Sequence, residues 1–139
     1  MEPSVLVKLF KSEVGSDKIA SIVSKVDESR GWKAYTSMWS ALEIARALRK
    51  DGKPREVIEL DMKELRSHKI GFHPVDRKIL AQAERLVSSS DLYASDAIHV
   101  ATFTTLDSRF SLDGLLTDDR HIRRLGDTVK VIGINDIAL

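Results

Sequence analysis

Cysteine is absent from the 139 residues. That excludes disulfide scaffolds, thiolate zinc sites, iron–sulfur clusters and thiol nucleophiles. Proline is scarce, three in the chain, and no repeat, low-complexity tract or linker is visible; a hinge between domains is not expected. Neither sign of charge dominates, with 22 Lys and Arg against 21 Asp and Glu. No overall basic field therefore exists to hold nucleic acid, and any such contact must come from a local patch. Long apolar runs are missing too. The longest stretch free of Asp, Glu, Lys and Arg is Ala97–Leu106, ten residues, against the ~20 that a bilayer crossing needs. Met1-Glu2-Pro3 carries neither the basic nor the apolar region of a secretory signal. A cytoplasmic protein without membrane contact is the expectation.

What is present reads as a globular α/β chain. Hydrophobic residues make up 42%, enough for a sizeable core and too many for a disordered polymer. A chain of this length predicts one domain spanning residues 1–139. Ile19, Ile22, Val23 and Val26 recur at i, i+3, i+4 and i+7, which predicts a helix from about Ser16 to Glu28. Met38, Ala41, Leu42, Ala45 and Leu48 predict a second, stopped by Asp51-Gly52-Lys53-Pro54. Ile58, Met62 and Leu65 mark a third helix. Ile79, Leu80, Ala83, Leu86 and Val87 mark a fourth, ended by Ser88-Ser89-Ser90, and Ala94, Ala97, Ile98 and Ala101 a fifth. Strand-like runs lie between and after them: Lys33–Thr36, Lys69–Phe72, Gly114–Thr117 and Val129–Ile134. The alternation predicts a mainly parallel sheet covered by helices on both faces.

Ligands of open parallel sheets gather at the carboxyl ends of the strands. Acidic residues fall at such places: Glu43 one turn into the second helix, Asp96 opening the fifth, Asp118 and Asp119 directly after Leu115-Leu116, and Glu2 before the apolar run Val5–Phe10. Each also has a plain structural reading. Ser40-x-x-Glu43 matches a capping box; Asp96, Asp118 or Asp119 could cap helices; Glu2 could be a solvated charge. Together they point elsewhere. Crowded carboxylates repel unless a cation neutralises them, and oxygen ligands suit Mg²⁺ or Mn²⁺.

The same residues carry a resemblance. Glu2-Pro3-Ser4-Val5-Leu6-Val7-Lys8-Leu9-Phe10 resembles the opening of PIN-domain proteins, where an Asp, a small residue and Ser lead into an apolar helix. Thr36–Leu48 resembles the second block, with Glu43 at its acidic position; Ser95-Asp96-Ala97-Ile98-His99-Val100-Ala101-Thr102 resembles the third; and Leu115-Leu116-Thr117-Asp118-Asp119-Arg120 resembles the fourth, with Asp119 as its acid and Asp118 as a helper. The blocks come in the family's order and span nearly the whole chain. The resemblance implies a Rossmann-like PIN fold, a three-layer sandwich with a central, mainly parallel sheet. It implies a metal-dependent ribonuclease of VapC type, the toxin of a toxin–antitoxin pair, as a homodimer silenced by a cognate VapB-type antitoxin. One departure stands out: the family's first acid is an Asp ending an apolar strand, whereas here it is Glu2 with only Met1 before it. The first strand is expected to be cropped.

The resemblance implies in-line attack on an RNA phosphodiester leaving a 5′-phosphate. Glu2, Asp96 and Asp119 would hold Mg²⁺ or Mn²⁺, with Asp118 at their side, and Glu43 would bind the ion directly or through water, or take the proton. Thr117 would contact substrate or orient a carboxylate from behind. Basic residues cluster at Arg46, Arg49, Lys50, Lys53 and Arg55, and at Arg120, Arg123 and Arg124. They could position phosphates without reading sequence, or form solvated faces with pairs such as Glu43/Arg46. Trp39 could stack a base or belong to the core or a dimer interface. His68, His73, His99 and His121 form no recognisable catalytic pair. Two other functions fit the same residues: a catalytically impaired PIN-like module binding RNA or protein, and a small metal-dependent phosphohydrolase.

Overall fold

The computed structural model describes residues 1–139. Met1 and Glu2 are extended and run into α1 (Pro3–Leu6), which tightens into a 3₁₀ turn over Val7–Phe10. There follow α2 (Ser16–Glu28), β1 (Ala34–Ser37), α3 (Met38–Lys50), α4 (Arg55–Ser67), β2 (Ile70–His73), α5 (Arg77–Ser89) and α6 (Ala94–Phe110). The chain ends with β3 (Leu115–Leu116), α7 (Arg120–Arg123), β4 (Val131–Ile132) and a 3₁₀ turn over Ile134–Asp136.

Local chemistry explains most helix starts. Pro3 opens α1, where a missing N–H costs nothing. The Ser37 hydroxyl accepts from Trp39 N–H at 3.2 Å and caps α3, and the Asp76 carboxylate accepts from Ile79 N–H at 2.9 Å and caps α5. Gly52 ends α3 at φ 84°, a left-handed turn that favours glycine. α2 buries Ile19, Ile22, Val23 and Val26, the face its periodicity predicts. α6 is different. It is enclosed on every side from Asp96 to Phe103, and it runs on to Phe110, well beyond the segment marked by spaced alanines. A helix buried all round leaves no single apolar stripe for a periodicity argument to find.

The strands form parallel pairs, β1 with β2 (Ala34 opposite Ile70) and β3 with β4 (Leu115 opposite Val131). The pairs are joined only by the start of the chain. The Met1 nitrogen donates to Tyr35 O at 2.7 Å, the Thr36 hydroxyl donates to Met1 O at 2.8 Å, and Glu2 N–H donates to Leu116 O at 2.9 Å. Met1 and Glu2 thus lie between β1 and β3. β4 is shorter than the run Val129–Ile134 because it can pair only as far as β3 reaches, and β3 stops where the Thr117–Asp119 turn begins. Beyond it, Gly133 lies under the Arg123 guanidinium, where a Cβ would come within 2.2 Å of a side-chain nitrogen.

Successive strand residues point to opposite faces. Leu116 packs with Val5, Leu6, Ile22, Ile44, Leu48 and Leu65, whereas Leu115 packs with Ile79, Ala97, Val100, Phe103 and Ile122. Helices thus cover both faces, a three-layer α/β sandwich. Leu48 is fully buried in the first of these cores. Leu48→Ala is expected to lower unfolding free energy in urea by about 2–5 kcal/mol, while Leu42→Ala, at a position 61% exposed, changes it by no more than about 0.5 kcal/mol.

Candidate active site: an acidic hollow at the strand ends

Glu2 leaves the bridge between β1 and β3 with its side chain buried. Its Oε2 accepts from Ser4 N–H at 3.1 Å, from the Ser4 hydroxyl, and from the Thr117 hydroxyl at 2.9 Å. Thr117 is 0% exposed, and its oxygen also accepts Asp119 N–H at 3.0 Å. The Ser4 hydroxyl in turn accepts Asp118 N–H at 2.9 Å. These bonds stitch the first helix to the turn after β3. The Thr117 side chain is thereby committed to a carboxylate; direct contact with substrate is not open to it.

Asp96 occupies the third position of α6, in the first turn, with 9% of its surface exposed. That location near a helix N-terminus favours a charged carboxylate. Its pKa is nevertheless raised, to about 6, by burial first, then by Asp119, Glu2 and Glu43, with only His99 acting the other way. Asp119, Glu2 and Glu43 thus lie near enough to Asp96 for their charges to oppose its own.

Asp119 also caps α7, its Oδ1 accepting His121 N–H at 2.7 Å; the capping and site readings hold together. The capping readings of Glu43 and Asp96 do not. α3 is capped by Ser37, while Ser40 is buried with its hydroxyl 2.7 Å from that of Thr36. α6 starts after Tyr93 with no side-chain cap. Glu43 instead hydrogen-bonds through Oε2 to Nε2 of His99, a ring 3% exposed one turn beyond Asp96. Asp118 is turned away from this set. Its carboxylate pairs with Lys8 at 3.2 Å, and it is not among the charges acting on Asp96.

Lys8 went unnoticed in the sequence, where it interrupts the apolar run Val5–Phe10. It is buried, donating to Glu13 Oε1 and Val14 O at 3.0 Å each. Burial works against its charge, but Glu13 and Asp118 outweigh that and raise its pKa. Tyr93 was also missed. It is 69% exposed just ahead of α6 and meets the His121 ring edge-on, with centroids 5.5 Å apart. Trp39 is half-buried against the second core, its indole N–H enclosed without an acceptor. Arg46, Arg120 and Arg123 are exposed and make no ion pair.

The hollow suits a hard divalent cation in charge and donor type, being lined by carboxylate oxygens around an acid that lacks a hydrogen-bond donor. It is not a preassembled cage. No three His, Asp or Glu side chains stand ready as metal ligands, and Glu2, Glu43 and Asp119 each engage one oxygen with a protein group.

The PIN domain family model matches residues 3–127. The chain belongs to the PIN-domain family. PIN domains are generally metal-dependent nucleases acting on nucleic-acid phosphodiesters. Searched against curated proteins, this PIN domain has no match. None of its helices is long and apolar enough to cross a membrane.

Proposed function

We propose that this PIN domain is an endoribonuclease dependent on Mg²⁺ or Mn²⁺, and the toxin of a VapBC-type pair. The observation that carries the nuclease reading is the buried carboxyl of Asp96 in the first turn of α6, with Asp119, Glu2 and Glu43 near enough for their charges to bear on it. A divalent cation, when bound, would supply an activated water and offset charge developing on the phosphate. Asp96, Glu2 and Asp119 would hold it, and Glu43 would either join them or take a proton. His99 orients Glu43, and Thr117 with Ser4 keeps Glu2 in place despite its extra methylene.

Arg46, Arg120 and Arg123 contact RNA phosphates, and Tyr93 with His121 offers a face on which a base can stack. The toxin role follows the sequence resemblance, in which a chain of this kind is most often the toxin of such a pair. It implies a homodimer and a VapB-type antitoxin, and the exposed Met38 and Leu42, one turn apart on α3, supply apolar surface for a protein contact.

Cleavage of end-labelled single-stranded RNA with Mg²⁺, repeated with EDTA, tests the reading. Cleavage is expected to stop with EDTA; activity that survives chelation overturns the metal mechanism. The Arg120→Ala/Arg123→Ala double variant is expected to weaken RNA binding about equally across sequences. It should lower the slope of log affinity against log salt by roughly 1 to 2, read by fluorescence anisotropy.

A second reading, a PIN-like module that binds RNA or protein without cutting, is favoured by Glu2 standing where the family resemblance has an Asp. RNA binding without cleavage at saturating Mg²⁺ and Mn²⁺ would establish it.

A further inference from the structure

The turn that carries Asp119 is short. It has three residues between β3 and α7, and α7 itself has only four. Thr117 N–H donates to Ile132 O at 3.1 Å, and Asp119 N–H to the Thr117 hydroxyl at 3.0 Å. Asp118, between them, is held from outside the turn at two points. Its N–H donates to the Ser4 hydroxyl at 2.9 Å, and its carboxylate pairs with Lys8 Nζ at 3.2 Å. Ser4 and Lys8 are four positions apart on the continuous helical run Pro3–Phe10 and so stand side by side. The lysine end of this grip is fixed as well. Lys8 is 7% exposed, and its Nζ also donates to Glu13 Oε1 and Val14 O at 3.0 Å each. An ammonium has three N–H groups, and three acceptors use them all, leaving none for a phosphate. Glu13 is anchored in turn: its N–H donates to the Ser16 hydroxyl at 3.1 Å, which donates to Lys11 O at 2.7 Å. Exposed ion pairs fix little, because both side chains keep their freedom. Here one partner is buried with its donors committed, and it can fix the other.

We propose that Lys8 is a positioning residue for the acidic hollow: with Ser4 it clamps Asp118 by carboxylate and amide, and so fixes the turn that presents Asp119 to Asp96. What the clamp serves rests on the metal-dependent nuclease reading. Asp119 is one peptide bond from Asp118, so slack in the clamp passes to its carboxylate, and reacting geometry is sensitive at about 1 Å. Asp118 acts through its neighbour and not as a ligand.

Lys8→Met and Asp118→Ala test this, beside their double variant and Lys11→Met, which breaks the Lys11–Asp51 pair next to the same helical run. Methionine keeps the apolar stem of Lys8 and removes the ammonium. Asp118 has 43% of its side chain exposed, so its truncation keeps the test open even where Lys8→Met does not fold. Each single variant is expected to weaken Mn²⁺ binding about 10-fold, read by titration calorimetry, and to speed amide exchange at Asp118 and Asp119 by a similar factor. Cleavage at saturating RNA should fall about 10-fold with RNA affinity unchanged. The double variant should lose no more than either single one, because both cut the same link. Lys11→Met should stay within about twofold of the parent. Charge alone predicts opposite signs: losing a cation tightens Mn²⁺ binding and losing an anion weakens it. An Asp118 that ligates the ion itself predicts the same opposition. Opposite shifts for Lys8→Met and Asp118→Ala therefore overturn the proposal. So does weaker RNA binding by Lys8→Met with a salt slope smaller by about 1, which would make Lys8 a phosphate contact. A parent that binds no Mn²⁺ removes the metal reading, and amide exchange then decides the clamp: unchanged rates in both variants overturn it, and the 10-fold rise supports it.

Discussion

Asp96→Asn is expected to abolish RNA cleavage, by about 1,000-fold or more, while making the ion-free protein more stable at neutral pH. The two effects have one cause. Asp96 carries a charge that burial, Asp119, Glu2 and Glu43 all oppose, and its pKa is raised from 3.8 to about 6. Between those values the folded state holds a proton that the unfolded state has released. Stability therefore falls as pH rises from about 4 to about 6 and stays low above it. Asparagine is neutral at every pH and removes that loss, a gain of roughly 2 kcal/mol at pH 7, read as the difference between variant and parent unfolding curves. A divalent cation offsets the same repulsion. Mg²⁺ or Mn²⁺ should raise the melting temperature of the parent above pH 6 and do much less for the variant. Cation affinity should fall about tenfold per pH unit below 6. A variant that is less stable than the parent at pH 7 would remove Asp96 from the strained hollow.

Thr117→Val is expected to cost about 10- to 100-fold in cleavage and about 1–3 kcal/mol in stability. Valine fills the same space, so packing is kept, but Glu2 loses its buried hydroxyl donor and Asp119 N–H loses its acceptor. Both site carboxylates are loosened by one missing oxygen. Thr117→Ser restores the hydroxyl and should recover most of the activity; a merely structural role for the methyl group would give the opposite ranking. Single-turnover rates at saturating RNA separate this effect from substrate binding, which the variant should leave nearly unchanged.

Much of the fold was legible before any coordinates. α2 and α3 each bury one side, and that side writes a 3.6-residue period into the chain. α6 is buried all round, and its length escaped detection for that reason. Glu2, Glu43, Asp96 and Asp119 stood out because their sequence blocks occur in an order that resembles a known family. The chemistry around them did not stand out. Ser40 spaced from Glu43 looked like a capping box, yet Ser37 performs the capping and Ser40 faces Thr36. Asp118 was expected beside Asp119 as a helper, but it pairs with Lys8, while Asp119 bears on Asp96.

Residue type and short-range spacing settle what depends on neighbours within a few turns: which segments coil, which face is apolar, which acids end strands. The Glu2–Thr117 bond, the His99–Glu43 pair and the gap between β1 and β3 join segments lying 115, 56 and about 80 positions apart. No local pattern encodes such meetings. They exist only once both cores have closed around the strands, because burial of those cores is what holds remote groups together against loop entropy and, at the strand ends, against the mutual repulsion of like charges.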